Sequence, residues 1–183
     1  YPKPVELIKR CIHLYSKKDS IILDFFSGSS TTAHAVMALN SEDKTSSRKY
    51  ILVQLPEQLS FKDDLKDFQY RTICDIGKDR IKRASAKLRT ESKIVFDSGF
   101  RVLQLSDSNM KDVYYHANKY RQSSLDLFAD NVKSDRTEDD LLFHVLLDWG
   151  LPLNLKIEQI KLCNKNVFKV AENSLYACFE KGI

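Results

Sequence analysis

Residues 21–57 constrain the fold more than any other stretch of the chain. Ile21-Ile22-Leu23 is a short apolar run that stops at Asp24, which fits a buried strand. FFSGSSTT follows, and AHAVMAL then reads as a helix. Residues 40–49 are polar and loop-like, and Tyr50 to Leu55 forms a second apolar run, closed by Pro56-Glu57. Strand, tight loop, helix, strand is a βαβ unit, which implies parallel strands joined by a right-handed crossover. The expectation is an α/β fold.

The flanking segments extend this pattern. Pro4 suits the first turn of a helix, and Val5, Ile8, Ile12 and Tyr15 recur at helical spacing, so a helix is expected from Pro4 to Ser16. Thr72 to Arg89 reads as another helix, with Ile73, Ile76, Ile81, Ala84 and Leu88 on its apolar side. Phe100 to Leu105 reads as a third strand. Residues 123–140 change character, because acidic residues dominate and no period is evident. Thr137 is a suitable helix cap before Leu141, Leu142, Val145 and Leu146, and Gly150 and Pro152 stop that helix. Trp149 is expected in its core. Alternation through Leu155, Ile157, Ile160, Val167, Val170, Leu175 and Ala177 predicts short strands, with a hairpin tip at Asn173-Ser174.

The chemistry concentrates in the first βαβ unit. A strand carboxylate (Asp24), a loop of small residues and an acid after the second strand (Glu57) form a pattern found in nucleotide-type cofactor sites. Small residues let the backbone approach a ligand. The acid after the second strand is placed to accept hydrogen bonds from ribose hydroxyls. No Gly-Lys-Ser/Thr follows, so this is not a phosphate-binding Walker loop. The single glycine in Ser27-Gly28-Ser29-Ser30 also argues against an anionic dinucleotide. A less anionic ligand with an adenosine head, such as S-adenosylmethionine, fits better.

KPVELIKR, LDFFSGSSTTAHAV, YILVQLPE and DIGKDRIKRA, in that order, resemble the later motifs of amino-type DNA methyltransferases. The resemblance is nearest to the modification subunit of type III restriction-modification systems. It continues through SGFRVLQLSDSN, DDLLFHVLLDWGLPLNLKIE and SLYACF. It implies an incomplete Rossmann-like methyltransferase domain, a parallel sheet with helices, followed by a small α+β domain. The expected division is a cofactor-binding half over residues 1–122, a linker or mobile loop over 123–136 and the small domain over 137–183. The resemblance implies a cofactor site made by Lys3, Pro4, Asp24, Phe25, Phe26, Ser27, Gly28, Ser29, Ser30, Thr31, Thr32 and Glu57. It implies S-adenosylmethionine as cofactor and the exocyclic amine of a flipped adenine as methyl acceptor.

Two departures from the family pattern stand out. The usual Gly-Ser-Gly is Gly28-Ser29-Ser30; if the last position needs close approach or positive φ, serine weakens cofactor binding. The family's Asp-Pro-Pro-Tyr-type catalytic motif needs adjacent prolines, and Pro2, Pro4, Pro56 and Pro152 are never adjacent. With the missing initiator Met, this predicts a C-terminal portion of a longer subunit that is inactive alone and has no catalytic residue of its own. Expected partners are DNA, the restriction subunit and a second copy of the intact subunit. The rival expectation is a non-catalytic subunit-interaction module that has lost cofactor binding. A nucleotide-dependent oxidoreductase is weaker, because the glycine fingerprint is poor.

The rest of the composition agrees. Net charge is +4, which permits a polyanionic partner without requiring one. Lys78, Arg80, Lys82, Arg83, Lys87 and Arg89 make one helix basic; a solvated face is its default reading and DNA backbone contact the alternative. His34 is expected to be packed or at a rim. The scattered Cys11, Cys74, Cys163 and Cys178 suit reduced thiols in a cytoplasmic protein and form no metal site. No apolar run approaches the roughly 18 residues of a membrane span.

Overall fold

The computed structural model describes residues 2–59, 70–112 and 131–180. They fall into two units, residues 1–100 and 101–183. In the first unit the order is α1 (Val5–Tyr15), β1 (Ile21–Asp24), α2 (Thr31–Glu42), β2 (Lys49–Leu52) and α3 (Ile73–Glu91). Strands β1 and β2 pair in parallel, with Ile22 opposite Tyr50 and Asp24 opposite Leu52. The expected βαβ unit is present.

Helix α2 is the centre of this unit. Ala35, Val36 and Leu39 pack with Ile12 of α1 and with Ile22 and Tyr50 of the strands. Ala33 and Met37 pack with Ile81 and Ala84 of α3, joined by Leu52, Leu88, Phe96 and Phe100. Covered on several sides, α2 is built largely of small and apolar residues. Burying Val36 and Met37 fully contributes about 1.5–3 kcal/mol each.

The end of α2 is polar but also buried. Asn40 donates to the carbonyl of Arg48 at 2.9 Å and accepts from Ser46 Oγ at 2.7 Å. Arg48, 7% exposed, donates to Ser46 Oγ and to Ser16 Oγ. The polar stretch read as a loop thus ties the ends of α1 and α2 to the start of β2. Helix α3 starts with a capping box: Thr72 accepts from the Asp75 N–H, and the Asp75 carboxylate accepts from the Thr72 N–H.

Both strands were expected to be buried, and only one face of each is. Ile22, Tyr50 and Leu52 face the helices. Ile21, Leu23, Phe25, Ile51, Val53 and Leu55, at alternate positions, are half or more exposed. Among the described residues, helices α1 to α3 cover a single face of the sheet and no element covers the other.

The second unit contains α4 (Glu138–Asp148) and an antiparallel sheet of β3 (Ile157–Leu162), β4 (Lys165–Val170) and β5 (Leu175–Ala177), in that order. Its core is Leu142, Leu146, Phe168 and Val170. Thr137 and Asp140 form the capping box that opens α4. The Leu151 N–H returns to the Leu146 carbonyl and the Gly150 N–H to Leu147, with Gly150 at φ 65°, a Schellman ending. Cys163 and Asn164, at φ 49° and 65°, make the two-residue turn between β3 and β4. The β4–β5 turn falls at residues 171–174, where Ser174 bonds back to Ala171. The α/β unit followed by a small α+β unit agrees with the expected fold class.

Three sequence expectations need correction. Residues 100–105 form no strand: Phe100 packs on the first core, Val102, Leu103 and Leu105 are exposed, and the segment has no strand partner. Trp149 caps α4 beyond its apolar stripe and is 65% exposed, so it is not core. The stretch 101–110, read with the first domain, goes by its bonds with the second unit. Asp107 pairs with Lys133 and Arg136, Asn109 donates to the Asp140 carbonyl, and Met110 bridges to Val132. Residues 123–130 of the expected linker lie outside the described residues.

Candidate functional site

Asp24 ends β1 and organises the loop that follows. Its Oδ2 accepts from Thr32 Oγ at 2.6 Å, and its Oδ1 accepts from the Phe26 N–H at 3.2 Å. Both oxygens are engaged in holding the loop to the first turn of α2. The Ser30 N–H donates to the Ser27 carbonyl at 2.7 Å and closes the turn. Two more bonds reach past β2: the Ser27 N–H donates to the Val53 carbonyl, and the Gly28 N–H donates to Gln54 Oε1 at 2.7 Å.

The loop turns twice through left-handed backbone, at Gly28 (φ 50°) and at Ser30 (φ 61°). Glycine adopts this region freely, and a side chain there costs on the order of 1 kcal/mol. The condition attached to Ser30 in the sequence is therefore met: its position does need positive φ. Ser30 is buried, and its hydroxyl fills the space that a side chain on Gly77 would take. A Cβ on Gly77 would lie 2.6 Å from Ser30 Oγ. Around Gly28, by contrast, a Cβ would meet nothing within 4 Å, so that side of the loop is open.

Helix α3 braces the loop a second time. Arg80 Nη1 donates to Ser29 Oγ at 2.9 Å and to Thr31 Oγ at 2.7 Å. Partial burial lowers the pKa of this guanidinium. His34, one turn into α2, is half-buried, and its pKa is lowered by burial and then by the charge of Arg80. It is the rim histidine the sequence suggested.

The twelve expected site residues are distributed as follows. Asp24, Phe25, Phe26, Ser27, Gly28, Ser29, Ser30, Thr31 and Thr32 form the loop and helix start, at the C-terminal end of β1. Phe25 and Phe26 expose their rings, 5.2 Å apart. Glu57 is exposed beyond β2, and its carbonyl accepts from the Ile73 N–H, which ties it to the start of α3. Both lie at the same end of the parallel strands, the end where ligands bind in open α/β sheets. Lys3 and Pro4 stand exposed ahead of α1, and nothing bonds them to the loop. Gln54, Gly77 and Arg80 complete the site and were missed. A glycine inside a helical pattern was the one available signal for Gly77. Among the described residues, no group of three or more His, Cys, Asp or Glu is placed to hold a metal, and no helix is long and apolar enough to cross a membrane.

Residues 1–84, which carry the whole loop and the start of α3, match the family model described as DNA methylase. The likeness to modification subunits runs further along the chain. The EcoP15I Mod subunit of a type III restriction-modification enzyme, from Escherichia coli, is 35% identical over 179 residues, 93% of this chain and 26% of its own length. The EcoPI Mod subunit of Escherichia phage P1 is 32% identical over 94% of this chain and 27% of its own length. The StyLTI Mod subunit of Salmonella typhimurium is 46% identical over 101 residues, 55% of this chain and 15% of its own length. The resemblance read from the motifs is thus borne out. The chain spans between 15% and 27% of the length of these relatives. The methylase match covers residues 1–84 of the loop-bearing unit, and the two longest alignments also take in the α4–β5 unit.

Proposed function

We propose that the chain is the cofactor-holding portion of an adenine-specific DNA methyltransferase subunit of a type III restriction-modification system. The observation that carries this is the loop of residues 24–32, braced from behind by α3, open at Gly28, and set at the same end of the sheet as Glu57. These residues fit S-adenosylmethionine. The Phe25 and Phe26 rings offer apolar surface to an adenosine head, Gly28 lets backbone approach, and the Glu57 carboxylate suits ribose hydroxyls. When bound, the cofactor supplies the methyl group. The residues of this chain hold and orient it. Lys3 and Pro4, at the head of α1, are placed on the cofactor side.

The bare sheet face supports the reading as a portion of a larger domain. Parallel sheets are covered on both faces, and a two-stranded sheet is marginal alone. The exposed face of Ile21, Leu23, Ile51, Val53 and Leu55 suits further elements of the same subunit. Orientation of the adenine amine and stacking of the flipped base need groups beyond the loop. They belong to a segment with the Asp-Pro-Pro-Tyr-type motif, absent from these residues. DNA, the restriction subunit and a second copy of the whole subunit are the partners, and the cytoplasm is the setting.

Ser30 favours a second reading. A serine at a left-handed turn suits a loop no longer tuned to its ligand, as in a module that only docks other subunits. A transfer assay with methyl-labelled S-adenosylmethionine and mixed-sequence DNA separates the two. The chain alone should transfer nothing. Joined to a natural upstream segment that carries the catalytic motif, it should label adenine. Transfer by the chain alone contradicts the division of labour. A joined subunit that binds DNA and never transfers a methyl group supports the docking module.

A further inference from the structure

Beside the loop, on the α3 side, lies an open cavity of about 550 Å³ lined by Pro2, Ser29, His34, Arg80, Arg83 and Lys87, among others. Its charges are unevenly matched. Arg83 pairs with Asp79, the one acid in the lining, at 2.6 Å, and Lys87 reaches Glu91 at 3.8 Å. Arg80 has no carboxylate partner among the described residues. Its Nη1 is held by the two hydroxyls of Ser29 and Thr31, while Nη2 and Nε have no protein acceptor there. A half-buried guanidinium without a counter-charge is costly, and its fixed fork of N–H donors matches an oxyanion. The cavity's positive field also registers on His34, whose protonation both Arg80 and Lys87 oppose.

We propose that this cavity is a phosphate-binding site centred on Arg80, which shares Ser29 with the loop but does not depend on whether S-adenosylmethionine binds. Three cations against one engaged acid favour phosphate over a carboxylate. The hydroxyls of Ser29 and Thr31 fix the guanidinium plane. Lys87 supplies a second, mobile positive charge at the rim. Phosphate can arrive free, on a small ester, or as a phosphodiester of the DNA backbone.

The test is a nuclear magnetic resonance titration of the chain with inorganic phosphate and, separately, with a short DNA duplex in phosphate-free buffer. Phosphate should shift the Arg80 side-chain, Ser29 amide and His34 ring signals saturably. Arg80→Met should weaken this roughly tenfold or more. Lys87→Gln leaves the loop brace intact and should weaken it severalfold, so it decides the case if Arg80→Met does not fold. The same shifts with duplex identify backbone phosphate as the source, and shifts with inorganic phosphate alone identify a small phosphate. Unchanged signals with both probes, or equal shifts in the folded variants, overturn the proposal.

Discussion

Replacing Gly77 with alanine should cost about 1–3 kcal/mol, the range for forcing a methyl group into a filled space. The new Cβ would sit 2.6 Å from Ser30 Oγ, so either the hydroxyl turns away or the helix and loop move apart. Gly77 is on a helix whose neighbours Cys74 and Ile81 are held by the strand segment and the core. Ser30 is fixed in a buried left-handed turn. The strain should therefore pass into the loop. Ser30→Gly removes the hydroxyl and relieves the positive φ, so alone it should raise stability by up to about 1 kcal/mol. Combined with Gly77→Ala, it should restore most of the loss. A double-mutant cycle by urea unfolding reads the coupling. Additive effects of the two substitutions would show that the Ser30–Gly77 contact does not hold the loop.

Asp24→Ala and Glu57→Ala should separate scaffolding from binding. Asp24 spends both oxygens inside the loop, so its removal leaves the Thr32 hydroxyl and the Phe26 N–H without their acceptor. The expected cost is about 1.5–3 kcal/mol, with loss of S-adenosylmethionine binding. Glu57 is exposed, and its side chain bonds to no described residue. Its removal should leave unfolding unchanged within about 0.5 kcal/mol and weaken S-adenosylmethionine roughly tenfold or more. Denaturant curves and ligand titrations on the same two proteins check this. Equal loss of stability in both would return Glu57 to a structural role.

Much of the loop-bearing unit was legible because its signals are local. The apolar runs of β1 and β2, the small residues between β1 and α2, and the helical spacing of Ile73, Ile81 and Ala84 each depend on neighbours within a few positions. The loop's support was not legible, because it is tertiary. Nothing near Gly77 in sequence says that it faces Ser30. Arg80 sits in a run of cations that reads as solvated until its hydroxyl partners, some fifty positions earlier, are seen. The bare sheet face was missed for the same reason. An apolar run suggests burial on both faces, and the run alone does not say which elements cover it. Phe100 to Leu105 has the composition of a strand and lacks a partner, so its composition misled.

The central claim is that residues 24–32 and Glu57 hold S-adenosylmethionine. The most direct measurement is a residue-resolved titration of the chain with S-adenosylmethionine by nuclear magnetic resonance, carried to millimolar concentration so that weak binding registers. The amides of Phe25 to Ser29 and of Glu57 should shift together and saturate, with the α4–β5 unit unmoved. A spectrum that stays unchanged to the end of the titration, or shifts confined to residues away from this loop, would contradict the account.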